Sequence, residues 1–248
     1  MLDRIGAIRG ESARIADLLD GADLDARVPS CPDWALRDLV LHLGEVQRSW
    51  AGCLRSRRAD EPWEGAVAAP RSDGEMAPWM RASTDDLLSA LAEVGDESPC
   101  WTWWGEPLTS GAVGRHQVQE AAVHRWDTAS AVGAPEPLDP EVAHDGVPEF
   151  LQVVLSALAA DRTGAPPAGL RGPLTFVTTD TGGRWTVVDG AVADPGIERP
   201  AGPDGGSAIH GTASDLVLLL YGRAPLSAVT VEGETALVEA FLATFDTE

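Results

Sequence analysis

The chain has 248 residues and a formal net charge of −21, with 39 acidic side chains against 18 basic ones. This charge disfavours nucleic acid and anionic membranes as partners, because both are bound through basic surface. Every basic residue is an arginine, and the absence of lysine excludes a Schiff-base lysine and a Walker-type phosphate loop.

The three cysteines, Cys31, Cys53 and Cys100, are an odd number and show no Cys-x-x-Cys spacing. They therefore suggest neither a disulfide framework nor a zinc ribbon, and they fit a reducing compartment. No basic and then apolar leader opens the chain, and no run reaches the ~20 apolar residues of a membrane-spanning helix. We therefore expect a cytoplasmic protein of two domains or one large one, whose oligomeric state the sequence leaves open.

Two helices are predicted in the first part of the chain. Residues 3–20 carry isoleucines and leucines at helical spacing, and a polar loop follows. Residues 34–57 predict a long helix whose apolar stripe includes Leu39 and Val46. His42 lies at the edge of that stripe and is directed towards the interior. A histidine in such a place is ordinarily a hydrogen-bonded core residue.

The next segments are rich in small residues and tryptophan. Residues 59–82 predict a loop, and Ser-Thr-Asp-Asp at 83–86 has the form of a capping box that opens a third helix running to about Val94. Residues 99–114 follow as a second loop, with tryptophan at 101, 103 and 104. These aromatic side chains either line a pocket or simply pack against one another.

The stretch from 115 to 129 is predicted to be helical, because it is rich in alanine and meets no Gly or Pro before Gly133. Residues four apart on a helix lie one turn apart on the same face, so His116, Glu120 and His124 form one column. Imidazole nitrogen and carboxylate oxygen are both ligands of Zn²⁺. The alternative is a solvated Glu and His pair that contributes only a few tenths of a kcal/mol.

The rest of the chain changes from helical to two-residue periodicity. Residues 141–161 predict one more amphipathic helix, and a Pro/Gly linker from Asp161 to Gly172 ends the first domain. The remaining predicted elements form a small α+β domain: a hairpin of 174–178 and 185–188, a loop at 193–206, strands at 208–211 and 229–231, and helices at 214–221 and from about 234.

Three sequence blocks, in this order, resemble a known family. They are Cys-Pro-Asp-Trp leading to Asp-Leu-Val-Leu-His-Leu-Gly at 31–44, Glu-Ala-Ala-Val-His-Arg-Trp-Asp at 120–127, and Asp-Gly-Val-Pro-Glu-Phe at 145–150. The family is that of the mycothiol-dependent maleylpyruvate isomerases. The resemblance implies an α+β protein, with a DinB-like four-helix bundle over residues 1–163 and a small α/β, sterol-carrier-like domain over residues 170–248.

The resemblance also implies the site. By it, His42, Glu120 and His124 would hold zinc or another divalent metal, and mycothiol would be the thiol cofactor. His116 is not a ligand in the family pattern; it would either hydrogen-bond Glu120, which we favour, or compete for the ion. Arg223, in a Tyr-Gly-Arg turn, would reach the metal cleft and hold a substrate carboxylate. Its alternative is a surface arginine at a helix end.

The function implied is a zinc-dependent, mycothiol-using isomerase or S-transferase that acts on a small carboxylate-bearing electrophile. Its partners would be a small thiol and a small organic acid. Two alternatives stay open: a non-catalytic protein whose metal only braces the bundle, and a hydrolase that activates water at the same ligands. The bias towards Ala, Gly, Arg and Asp is typical of a GC-rich genome and points to an actinobacterial source.

Overall fold

The computed structural model describes residues 2–160, 172–188, 191–192 and 206–245. The chain divides into two compact units, Met1–Leu138 and Asp139–Glu248. This division differs from the boundary expected between residues 163 and 170, because the helix at 140–160 packs with the second unit, against the helix Ala213–Leu220. The linker expected from Asp161 and the loop expected at 193–206 lie, apart from their last residues, outside the described part.

The first unit contains four helices and a short hairpin. The helices are α1 (Arg4–Leu18), α2 (Leu36–Ser56), α3 (Met76–Val94) and α4 (Ser110–Ala131), and the hairpin strands are β1 (Arg27–Val28) and β2 (Cys31–Ala35). Asp3 caps α1 by accepting a hydrogen bond from the Gly6 N–H at 3.0 Å. The four helices confirm the bundle expected from the sequence, whereas the hairpin replaces part of the expected polar loop.

Two helices begin earlier than the sequence predicted. Helix α3 starts at Met76, so the residues taken for its capping box lie inside it. Their hydroxyls are satisfied within the bundle, since Ser83 Oγ donates to the Trp79 carbonyl at 2.9 Å and Thr84 Oγ1 to Gln47 Oε1 at 2.9 Å. Helix α4 starts at Ser110, because Thr109 caps it and accepts a hydrogen bond from the Ala112 N–H.

The interior of the first unit combines an apolar core with buried polar ties. Helix α2 buries Leu39 and Leu43 in a cluster that also contains Ile15 of α1 and Met80 of α3. A buried ion pair joins α4 to α1, in which Arg125 Nε donates to Glu11 Oε2 at 2.8 Å. These contacts hold α2 and α4, the two helices that carry the candidate ligands, in one bundle with α1 and α3.

In its described residues, the second unit is an α+β unit built on a five-stranded sheet. Its elements are α5 (Pro140–Ala160), β3 (Leu174–Thr178), β4 (Arg184–Val188), β5 (Ala191–Val192), β6 (Ser207–Gly211), α6 (Ala213–Leu220), β7 (Thr230–Glu232) and α7 (Thr235–Leu242). The strand order is β5-β4-β3-β6-β7, with β3 and β6 parallel and the other pairs antiparallel. The predicted hairpin is β3 and β4.

The core of the second unit lies between this sheet and its helices. Phe176 of β3 and Phe241 of α7 are fully buried, with ring centroids 5.6 Å apart. Ile209 of β6 and Leu216 of α6 are also fully buried. Among the described residues of the whole chain, no helix is both long and apolar enough to cross a bilayer.

Candidate metal centre

The structure brings His42, Glu120 and His124 together. His42 comes from α2, and the other two residues lie one turn apart on α4. One ligand atom from each residue lies within 4.8 Å of the others. Among the described residues, no other group of three or more His, Cys, Asp or Glu side chains has this geometry. Two imidazoles and one carboxylate form a donor set that suits a divalent transition metal.

The two histidines meet edge to face. The ring centroids of His42 and His124 are 5.3 Å apart, and the planes cross at 83°. Trp34, at the end of β2, packs against the other side of His42 with ring centroids 4.9 Å apart. The rotation of the His42 ring is therefore restricted on both sides, which helps to orient a ligand nitrogen.

Behind His124 lies a buried carboxylate. Asp127, which is fully buried, accepts a hydrogen bond from His124 Nδ1 at 3.0 Å. Ser30, in the turn between β1 and β2, donates its hydroxyl to the other oxygen of the same carboxylate. This arrangement leaves His124 Nε2, which lies 3.5 Å from Glu120 Oε2, as the nitrogen that could bind a metal. The sequence analysis missed Asp127 as an orienting group, although its position three residues after His124 is a usable signal.

His116 lies outside the group of three. Its Nε2 is 3.4 Å from Glu120 Oε1, so the predicted column of His116, Glu120 and His124 is confirmed. Its ring packs against Trp104 and Trp103, with centroid distances of 4.8 Å and 5.9 Å. His116 therefore contacts the candidate ligand Glu120 on one side and two tryptophan rings on another.

Glu120 and His124 favour each other's charged forms, whereas His42 stays neutral. Burial opposes ionisation of Glu120, but His116 and His124 outweigh it and hold the pKa of that carboxyl well below its usual range. Burial also opposes a charged His124, yet Asp127 and Glu120 raise its pKa to about 9. For His42, burial and the neighbouring His124 lower the pKa, so its imidazole is neutral at pH 7. The group thus contains an ionised carboxylate and a neutral imidazole, both ready to bind a metal.

Two of the cysteines, Cys53 and Cys100, offer no reactive thiolate. All three cysteines are buried, and none forms a disulfide. Burial raises the pKa of Cys53 above its ordinary value, and burial together with the neighbouring Cys53 raises that of Cys100 to about 12. A thiol with such a pKa stays protonated near neutrality and is a poor nucleophile.

Arg223 belongs to the second unit and follows α6. The Gly222 N–H bonds the Leu219 carbonyl at 3.0 Å and the Arg223 N–H bonds the Leu218 carbonyl at 2.6 Å, which is the Schellman pattern of a helix end. Gly222 has φ +73°, the left-handed conformation that this pattern requires. Arg223 is partly buried, and its Nη1 donates to the Tyr221 carbonyl at 2.7 Å. The predicted end of α6 is therefore confirmed, and the catalytic role of Arg223 stays a prediction.

The fold and the site define a helical bundle with a candidate metal centre, joined to a small α+β unit. Residues 5–129 match the model of the mycothiol maleylpyruvate isomerase N-terminal domain, and residues 141–240 match that of the MDMPI C-terminal domain. The chain belongs to the mycothiol maleylpyruvate isomerase family, which is a family of enzymes. The two matched ranges are separated near residue 140, as the two units of the structure are.

Two solved structures share the fold. One is the crystal structure of the mycothiol-dependent maleylpyruvate isomerase, with 14% identity and a TM-score of 0.64. The other is a histidine-to-alanine mutant of that enzyme, with 13% identity and a TM-score of 0.63. Each comparison covers 92% of this chain and 91% of the solved one. No curated protein sequence matches the chain.

Proposed function

We propose that the protein is a divalent-metal-dependent enzyme, with zinc as the metal, that uses mycothiol to isomerise a small carboxylate-bearing electrophile or to transfer the thiol to it. Membership of the family supports the use of mycothiol. The observation that carries the metal is the convergence of His42, Glu120 and His124 within 4.8 Å. The partners proposed are a small thiol and a small organic acid, and three cysteines without a disulfide fit a cytoplasmic location.

The residues fit a metal ion in three respects. The donor set is two imidazoles and a carboxylate, and three protein donors are typical of catalytic zinc, which keeps one position for a ligand from solution. Glu120 Oε2 is buried and accepts no hydrogen bond within the described structure, although His124 Nε2 lies 3.5 Å away, so this oxygen is available to a cation. The Asp127 carboxylate orients His124 from behind, in the way that carboxylates support metal-binding histidines.

The chain's own groups divide the remaining work. When bound, the metal would supply a Lewis acid that lowers the pKa of a coordinated thiol. His42, Glu120 and His124 would hold that metal, and Asp127 would keep the Nδ1 proton of His124 in place. The raised pKa values of Cys53 and Cys100 leave the nucleophilic sulfur to a thiol from solution. These pKa values favour a nucleophilic thiol from solution over Cys53 or Cys100 as the nucleophile.

The experiment that tests this function is turnover with metal and thiol supplied separately. Maleylpyruvate and related unsaturated acids are offered to the protein after chelation, after zinc is restored, and with or without mycothiol. We expect turnover only when both metal and mycothiol are present. Turnover that persists without mycothiol would instead support metal-activated water, and the absence of turnover in every condition would favour a metal that only braces the bundle.

Arg223 is proposed to hold the carboxylate of the substrate. In a chain without lysine, arginine must bind substrate anions, and its planar fork suits a carboxylate. Arg223→Ala should lower turnover about 100-fold or more, because a charge that orients the substrate is lost. Arg184, exposed on β4 of the same unit, provides the matched control. Zinc content and folding should not change in Arg223→Ala. Turnover of this variant within about twofold of wild type would show that Arg223 has no role beyond the helix end.

A further inference from the structure

A pocket of about 360 Å³ opens beside the candidate metal centre in the first unit. This volume lies near the lower end of the roughly 300–1,000 Å³ range of small-molecule sites. One face of α2 and three tryptophans supply most of its lining: His42, Glu45, Ser49, Trp50, Trp63 and Trp101. Because His42 belongs both to the pocket and to the group of candidate ligands, a molecule bound to the metal could extend directly into this pocket.

The aromatic walls of the pocket are held in place by specific packing. Trp63 lies between Gly52 and Gly65, and a β-carbon at either glycine would overlap its indole ring. The backbone N–H of Trp63 donates to Cys53 Sγ at 3.3 Å. Trp50 and Trp101 stack with ring centroids 6.1 Å apart and planes inclined by 29°. These rings therefore form fixed surfaces beside His42.

The polar groups of the pocket indicate which ligand suits it. Glu45 lies one turn from His42 on α2, and Ser49 lies one turn further on. Among the described residues that line the pocket there is no arginine, and Glu45 is a carboxylate that would repel an anionic substrate. Carboxylate and hydroxyl groups are good hydrogen-bond acceptors for ligand hydroxyls. The negative faces of tryptophan rings attract the weakly positive C–H bonds of a sugar ring.

We propose that this pocket binds the sugar and inositol rings of mycothiol while its sulfur lies at the metal. The inference rests on the proposed function and deepens it. Mycothiol joins an acetylated cysteine to glucosamine and inositol, so its far end is a neutral polyol. Such a group can pack against Trp63 and Trp101 and donate hydroxyl hydrogens to Glu45. The acidic substrate is directed elsewhere, because the pocket contributes no cation to hold its carboxylate.

The test compares two thiols that share an acetylated cysteine amide and differ in the polyol. Mycothiol and N-acetylcysteine amide are titrated into the zinc-loaded protein by calorimetry. We expect Trp63→Ala to raise the Kd of mycothiol about tenfold, which corresponds to about 1.4 kcal/mol, since it removes an aromatic contact with the sugar ring. The Kd of N-acetylcysteine amide and the zinc content should stay within about twofold. Glu45→Gln should show the same pattern to a smaller extent.

Two further variants protect the test from a folding artefact. Gly52→Ala favours helix, yet its added methyl group must displace Trp63, so it should weaken mycothiol binding without removing an aromatic ring. Trp103→Ala is the matched control, because Trp103 is 49% exposed and lies outside the pocket lining. It should bind both thiols as the wild type does.

The outcomes separate this inference from the function on which it rests. Weakened mycothiol binding in Trp63→Ala and Gly52→Ala, with unchanged binding of N-acetylcysteine amide, supports the pocket. If wild type binds both thiols but Trp63→Ala binds mycothiol within about twofold of it, the pocket assignment is wrong and the proposed function stands. If zinc-loaded wild type binds neither thiol, the proposed function fails, and the pocket assignment fails with it.

Discussion

Glu120 has a histidine one turn away on each side of α4, and the two histidines lie in different surroundings. The distances from Nε2 to the Glu120 carboxylate are nearly equal, 3.5 Å for His124 and 3.4 Å for His116. His124, however, lies beside His42 and is held from behind by Asp127. His116 packs against Trp103 and Trp104 instead.

Helical spacing alone therefore does not define a metal ligand. The same four-residue spacing produces a residue with a third donor nearby and an orienting carboxylate, and also a residue enclosed by aromatic rings. A metal needs several donors at one point, and only the His124 side of Glu120 has His42 from another helix.

Replacing His124 should have the largest effect. His124→Ala removes one of three donors, and we expect the zinc content to fall from about one equivalent to near zero in elemental analysis after dialysis. Because a ligand that binds only the folded state stabilises it, a chelator should lower the melting temperature of wild type. It should leave the His124→Ala midpoint unchanged. One full equivalent of zinc in this variant would show that the group of three is not the metal site.

Replacing Asp127, whose carboxylate accepts the hydrogen bond from His124, should have an intermediate effect on zinc affinity. Asp127→Asn replaces a carboxylate by a neutral amide, a weaker acceptor for His124 Nδ1, and zinc affinity should fall roughly 10–100-fold. Competition with a chromophoric chelator measures the change. Ser30→Ala is the matched milder variant, because it removes one hydrogen bond to Asp127 and leaves the contact with His124. An unchanged affinity in Asp127→Asn would mean that the carboxylate does not orient His124.

Replacing His116 should change zinc affinity less, by about tenfold at most. His116→Ala should retain one equivalent of zinc, because the three donors remain. Since His116 is 5% exposed and packs beside Trp104, the alanine variant also leaves a cavity. His116→Gln, which is closer in volume, therefore accompanies it. Complete loss of zinc in both variants, with folding intact, would make His116 a ligand and remove the difference between the two histidines.

We also expect that no protein cysteine binds the metal, because a cysteine ligand would change the set of three donors. The pKa of Cys100 is about 12, so its thiol stays protonated at pH 8 and becomes a thiolate only as the pH approaches that value. Iodoacetamide should alkylate Cys100 and Cys53 far more slowly in the native protein than in the unfolded protein, as measured by mass spectrometry. Modification of Cys53 or Cys100 at the unfolded rate would show an accessible thiolate beside the site.

Much of this centre could be predicted from the sequence, because its signals are local. The spacing of Glu120 and His124 defines one helical face, and His42 lies beside an apolar stripe of α2 that must face the core. The alanine-rich stretch predicts a helix over 115–129, and helix α4 contains this stretch. The ordered blocks around these residues then indicated which histidine of α2 and which pair of α4 belong together.

The parts that the sequence did not predict depend on contacts between distant segments. Ser30 reaches Asp127 across 97 positions, from a hairpin that was expected to be loop. The position of Trp63 depends on Gly52 in α2, and a glycine inside a helix does not by itself reveal what packs on it. The start of α3 was placed too late because Ser83 and Thr84 favour caps, and only their partners Trp79 and Gln47 show that they are helical here.

The most direct test of the account is zinc X-ray absorption of the zinc-loaded protein before and after mycothiol is added. The account predicts two imidazole ligands and a carboxylate before addition, and one new sulfur at about 2.3 Å afterwards. His116→Ala should give the same two spectra. A third imidazole that disappears in His116→Ala, or a coordination sphere that gains no sulfur with mycothiol, would contradict the account.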